Sequence, residues 1–157
     1  MTVLHAYRDD GPLATWFGTL IGSDRLSRHP LAWLVPPLLR TLEYGSLIAL
    51  TAIVDPDAMP FCFALLAVLA FHHYDVVYRT RHQGAPPPPW IRAVGGGWDG
   101  RLVAASLLAA VGALGTAFLV AAVLLGLAYA AESSLSWIRQ DRNEQLPVYE
   151  DEDEVLE

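Results

Sequence analysis

The chain has 157 residues, 54% of them hydrophobic and 17% charged, and its mean hydropathy is +0.33. Soluble domains carry about 25% charged residues, so this composition argues against an ordinary water-soluble domain. A net charge of −7 lacks the basic footprint that nucleic acid requires, and the single cysteine, Cys62, excludes an internal disulfide framework and every multi-cysteine zinc site.

Residues 1–29 contain no uninterrupted apolar run and no small-residue cleavage pattern, so no cleaved signal is expected and the segment is read as cytoplasmic. Within it, Asp9-Asp10-Gly11-Pro12 precedes Leu13, Trp16, Phe17, Leu20 and Ile21, the i, i+3, i+4, i+7, i+8 spacing of one helical face. Asp9 or Asp10 is expected to cap this helix, with Pro12 in its first turn. A Trp/Phe stripe ending at Arg25 and Arg28 suits either a helix lying in the membrane interface or one packed on the protein's own cytosolic face.

Leu31 to Val54 is apolar apart from Arg40, Thr41, Glu43 and small polar residues, and Pro36-Pro37 sets a first span at about 37–54. The turn Asp55 to Pro60 leads into a second span, 60–79. In the cytoplasmic connection 80–98, Pro86 to Pro89 and Gly95 to Gly97 are expected to interrupt both helix and strand, the prolines forming a polyproline II spacer. The stretch Leu102 to Ile138 would be about 55 Å long as one helix, against a hydrocarbon core of about 30 Å. A break around Gly112 to Gly115 divides it into spans of about 99–114 and 116–137. Arg25, Arg28, Arg79, Arg81, Arg92, Arg101, Arg139 and Arg142 then share one side, which the positive-inside rule makes the cytoplasm. The expected fold is an all-α integral membrane four-helix bundle in the inner (plasma) membrane, preceded by an amphipathic interfacial helix, with both termini inside. Residues 139–157 are read as a disordered acidic tail, and their eight acids and two arginines account for −6 of the net charge.

Ionisable residues at membrane depth mark candidate sites because burying them unpaired costs several kcal/mol. Here they crowd the cytoplasmic half: Arg40 and Glu43 on the first span, His72, His73, Asp75 and Arg79 on the second, Asp99 and Arg101 at the mouth of the third, and Glu132 late in the fourth. That one-sidedness opposes a pore or a transmembrane proton relay and suits an inner-leaflet crevice. His72, Asp75 and Arg79 share a helical face, where a carboxylate and an imidazole can ligate a metal or act as acid and base. Asp75 and Arg79 also have the spacing of an ordinary intrahelical ion pair, and interfacial His and Tyr anchor helix ends. Arg40 can pair with Glu43 or hold a lipid phosphate. Asp99 is expected to cap the third span. The glycine-rich start there admits phosphate, which Asp99 opposes unless a divalent cation intervenes.

The strings Tyr7-Arg8-Asp9-Asp10-Gly11-Pro12-Leu13-Ala14, Phe71-His72-His73-Tyr74-Asp75-Val76-Val77-Tyr78-Arg79, Gly84-Ala85-Pro86-Pro87-Pro88 with Trp90, and Gly97-Trp98-Asp99-Gly100-Arg101-Leu102 together resemble an actinobacterial membrane domain of unknown function. The resemblance spans about residues 7–138. That domain commonly follows nucleotidyltransferase-like and CDP-alcohol phosphotransferase domains, and the resemblance implies a phosphotransferase partner. The phosphotransferase signature itself, D-x-x-D-G-x-x-A-R with a downstream aspartate pair, is absent: no Asp stands three residues before Asp99, and Arg101 follows Gly100 directly. The function expected is an accessory protein whose cytoplasmic cluster, Arg40, Glu43, His72, His73, Asp75, Arg79, Asp99 and Arg101, binds a lipid or phospho-alcohol head group. A small His/Asp membrane enzyme and a non-catalytic packing or dimerisation module stay open beside it, as do the cofactor and homo-oligomerisation.

Overall fold

A computed structural model describes residues 9–21, 30–82, 84 and 86–144, and among these residues the chain is all-helical. Pro12–Ile21 forms α1, with Pro12 at its start. A 3-10 turn, Ala32–Leu34, leads into α2, Val35–Val54, whose first turn accepts Pro36 and Pro37 because their missing N–H groups have no partner there in any case. A second 3-10 turn, Pro56–Ala58, reverses the chain into α3, Met59–His82. The connection that the sequence reads as free of regular structure instead contains α4, Pro89–Gly95. Pro88 is extended, with φ −55° and ψ 146°, so the proline run ends by supplying the first turn of a helix rather than only a spacer. Next come α5, Gly97–Ala110, and α6, Leu114–Glu144. Helix therefore persists to Glu144, six residues into the segment read as tail; Arg25, Arg28 and the acidic run at 150–154 lie outside the described residues.

The break in the last apolar stretch falls at the expected glycine. Gly112 has φ +70°; its N–H donates to the Ala109 carbonyl at 3.1 Å, and the Ala113 N–H donates to Leu108 at 2.9 Å. These paired bonds close the end of α5 and require a left-handed residue at Gly112.

Helices α2, α3, α5 and α6 contribute to one core of Leu47, Cys62, Leu65, Leu66, Leu69, Ala105, Ala109, Leu114, Phe118 and Ala122. Gly115 lies against Ala58, and Gly126 against Val68, so small residues let α6 approach α3 closely along its length. The same pairs show α3 and α6 running parallel, while Tyr44 against His73 sets α2 antiparallel to α3. Thr51 donates to the Leu47 carbonyl at 2.7 Å and Ser106 to Leu102 at 2.8 Å, which satisfies hydroxyls within their own helices. Among the described residues, three helical segments are long and apolar enough to cross a membrane: Ala32–Val54, Pro56–His82 and Leu114–Arg142. With 14 residues, α5 is about 21 Å long and falls short of that length. Large apolar side chains such as Leu38, Ile53, Leu107, Val111, Leu124 and Leu127 point outward, as a lipid-facing surface requires.

Candidate functional site

The polar residues assemble at the end of the helices where α2 and α5 begin and α3 and α6 finish. Arg101, in the first turns of α5, donates from Nε to Glu43 at 2.6 Å, from one terminal nitrogen to Asp9 at 2.6 Å, and from the other to the Gly95 carbonyl at 2.9 Å. Glu43, one helical turn past Arg40 on α2, also accepts from Arg40 at 2.5 Å. His73 on α3 completes the group. Its Nε2 stands 2.7 Å from Arg40 and 3.2 Å from Asp9, and its Nδ1 is 2.8 Å from the Tyr44 hydroxyl. Two carboxylates and two guanidiniums thus neutralise one another, in the charge-assisted geometry that makes such bonds strong.

Burial works against ionisation of Asp9, but its contact with His73 and the charge and hydrogen bond of Arg101 outweigh that cost and hold the carboxyl well below the usual carboxylate range. Asp9 adopts φ +50°, which turns the chain so that its side chain enters the cluster while its carbonyl accepts the Trp98 N–H at 3.1 Å. The cap expected from Asp9 or Asp10 comes from elsewhere. Asp99, within the first turn of α5, accepts the N–H groups of Gly11 at 2.6 Å, Leu13 at 2.7 Å and Ala14 at 3.1 Å. No side-chain cap bond closes α5 itself, so Asp99 caps α1 across 88 residues of sequence rather than its own helix. Asp10 accepts the Trp98 Nε1–H at 3.2 Å. Gly11 and Gly97 permit this docking because a Cβ on either would collide with the opposite strand of chain. The strings around Asp9-Asp10-Gly11 and Trp98-Asp99-Gly100-Arg101 are therefore two halves of one interface.

A second network lies between α3 and α6. Arg79 forms an ion pair with Asp75 at 2.9 Å and donates to both carboxylate oxygens of Glu132 and to Ser136, while Ser133 donates to Asp75 at 3.1 Å. The intrahelical pair expected of Asp75 and Arg79 is present and extends to α6. His72 stacks on Tyr129 with ring centroids 4.1 Å apart, and its ring lies 5.7 Å from that of His73. The eight candidates thus divide: Arg40, Glu43, His73 and Arg101 meet; Asp75 and Arg79 form a separate network; His72 adjoins the first group through the His73 ring, and Asp99 bonds to the start of α1. Among the described residues, no three His, Cys, Asp or Glu side chains are grouped to hold a metal ion.

Asp9, Tyr44 and Tyr129 complete the site and were missed as candidates. Asp9 reads locally as a helix cap, and nothing in its neighbourhood signals a partner 92 residues away. Arg92 on α4 lines two concavities. One is a groove of about 390 Å³ between α1 and α4, with Thr15 and Asp10 on its walls; the other is a narrow cleft under Pro86 to Pro88 that also reaches Asp9 and His72.

No curated protein and no solved structure matches the chain. A family model matches residues 21–155, which takes in all of α2 to α6 and leaves the Asp9–Gly11 segment outside the match. On that match over most of its length, the chain belongs to a family of unknown function, DUF5941.

Proposed function

We propose that this protein is an inner-membrane accessory module with four spans and both termini in the cytoplasm. At its inner-leaflet end it holds a lipid or phospho-alcohol head group for a CDP-alcohol phosphotransferase-type partner. The observation that carries the reading is convergence: Asp9, just before α1, and residues of α2, α3, α4 and α5 meet in the buried cluster at the end that also carries every described arginine and all five tryptophans. Trp16, Trp33, Trp90 and Trp137 are exposed there, as anchors at a membrane–water interface are, whereas the turn at the other end has Asp55 and Asp57 and no basic residue. The fourth span is α5. It is short, but its first turns lie beside Glu43 and its end is joined by a three-residue turn to α6, level with Ala58.

The test is purification from native membranes in a mild detergent together with lipid analysis of a deletion strain. A phosphotransferase that co-purifies and an altered phospholipid profile are expected; neither appearing would overturn the accessory role. The mutual pairing of the cluster favours a second reading, a packing module without ligand. Alanine changes at Glu43, Asp75 and Asp99 that lower protein abundance and alter no lipid would favour it over the first.

A further inference from the structure

Arg92 differs in its surroundings from the arginines buried around it. Arg40, Arg79 and Arg101 are bound to Asp9, Glu43, Asp75 and Glu132, and Arg81, Arg139 and Arg142 are exposed on helix ends. Arg92 is half-buried, makes no hydrogen bond or ion pair with any described residue, and lines the groove between α1 and α4. At about 390 Å³ the groove falls in the range of small-ligand sites. The two helices that border it also carry exposed apolar side chains, Leu13, Trp16 and Phe17 on α1 and Trp90 and Val94 on α4.

The groove lies at the same end of the helices as the buried cluster: a Cβ at Gly95, the last residue of α4, would meet the Tyr129 hydroxyl and approach Arg101. Trp16, Trp33, Trp90 and Trp137 are exposed at that end, as side chains at a membrane–water interface are. The groove's lining carries both charges: Arg92 supplies the forked donor that suits a phosphate, and Asp10 adds a carboxylate that repels a bare phosphate dianion.

We infer that the α1–α4 groove binds the phosphodiester head group of a phospholipid, or of a soluble phospho-alcohol, with Arg92 on the phosphate and Asp10 facing a hydroxyl or ammonium donor at the head group's far end. This deepens the head-group reading above and rests on it. It moves the ligand from the self-paired cluster to the groove beside it, and the cluster becomes the support that fixes α1 and α4 as its two walls.

The test is native mass spectrometry of the full chain in maltoside micelles with dioctanoyl phosphatidylethanolamine as probe. One bound lipid is expected, with affinity falling about tenfold or more in Arg92→Ala and in Thr15→Trp, which fills the groove, and unchanged in Arg142→Ala. Arg92→Lys keeps the charge without the fork and is expected between wild type and alanine. Glycerophosphoethanolamine, the same head group without chains, separates the sources: competition at matching concentration assigns a soluble phospho-alcohol, and competition only at great excess assigns the lipid. Wild-type affinity in both Arg92→Ala and Thr15→Trp would overturn the site, as would inorganic phosphate displacing the lipid as readily as glycerophosphoethanolamine does. Partner co-purification in Arg92→Ala is read separately. Wild-type lipid affinity with the partner still bound removes only this site, and a lipid-binding protein without any partner removes only the accessory role.

Discussion

Glu43 has no exposed surface, yet it carries a charge shared between Arg101 and Arg40. A buried carboxylate so held is costly to remove, because two guanidiniums would then share the single counter-charge of Asp9 in a low-dielectric interior. Glu43→Ala is expected to destabilise the protein by about 3–5 kcal/mol, read as thermal unfolding in detergent, with Glu43→Gln less severe because it still accepts hydrogen bonds. Asp9 makes a pH-dependent contribution. Its carboxyl is held below its ordinary value in the folded chain, so its stabilisation is complete at neutral pH and fades as pH falls below about 4 toward the folded value. Acid titration followed by tryptophan fluorescence should show α1 loosening in that window. In Asp9→Asn the transition should be missing, and α1 should already be looser at neutral pH.

Among the elements, α1 depends on α5 more than on its own sequence. Its first N–H groups end on Asp99, and its approach is set by the two glycines at the crossing. Asp99→Ala is expected to cost α1 about 1–2 kcal/mol, the magnitude of a lost helix cap, seen as faster hydrogen exchange at Leu13 and Ala14 with the α3–α6 core unchanged. Gly97 and Gly112 provide a comparison. Both have left-handed backbones, but a Cβ at Gly97 would run into the backbone of Gly11, whereas one at Gly112 meets open space. Gly112→Ala should cost about 1–2 kcal/mol from backbone strain alone. Gly97→Ala should cost more and also release α1, which limited proteolysis before Pro12 would detect.

For the whole molecule, the decisive question is whether α5 crosses the membrane. If it does, the chain past α6 returns to the side on which it started; if it does not, that chain is on the opposite face. Cys62 is fully buried, so single cysteines can be read above a silent background. With four spans, Asp57→Cys should react with an impermeant maleimide in intact cells and Gln140→Cys only after permeabilisation. Reaction of Gln140→Cys in intact cells would overturn the four-span arrangement and place Arg139 and Arg142 outside.

The helices themselves were legible in the residues. Apolar runs, the Pro36-Pro37 start and the Gly112 break are local properties, and α2, α3, α5 and α6 fall within a few residues of the expected bounds, except that α6 runs on to Glu144. The ion pair of Asp75 with Arg79 was legible for the same reason, since a helix places residues four apart on one face. The α4 helix was not, because a proline run and a glycine run read as interruption until Pro89 starts a helix and Gly96 ends it. The partners of Asp9, Asp99 and Arg101 were equally hidden. Each is joined to a residue dozens of positions away, and such pairings arise from how helices stack, which periodicity along one helix does not encode. Composition and local pattern were enough for an all-helical chain with segments long and apolar enough to span, for the helix positions and for the polar end. Which charges neutralise one another, and that Arg92 is left facing a groove, followed from the packing of α1 and α4 onto the helices below them, because burial forces a charge to find its partner wherever the fold brings one.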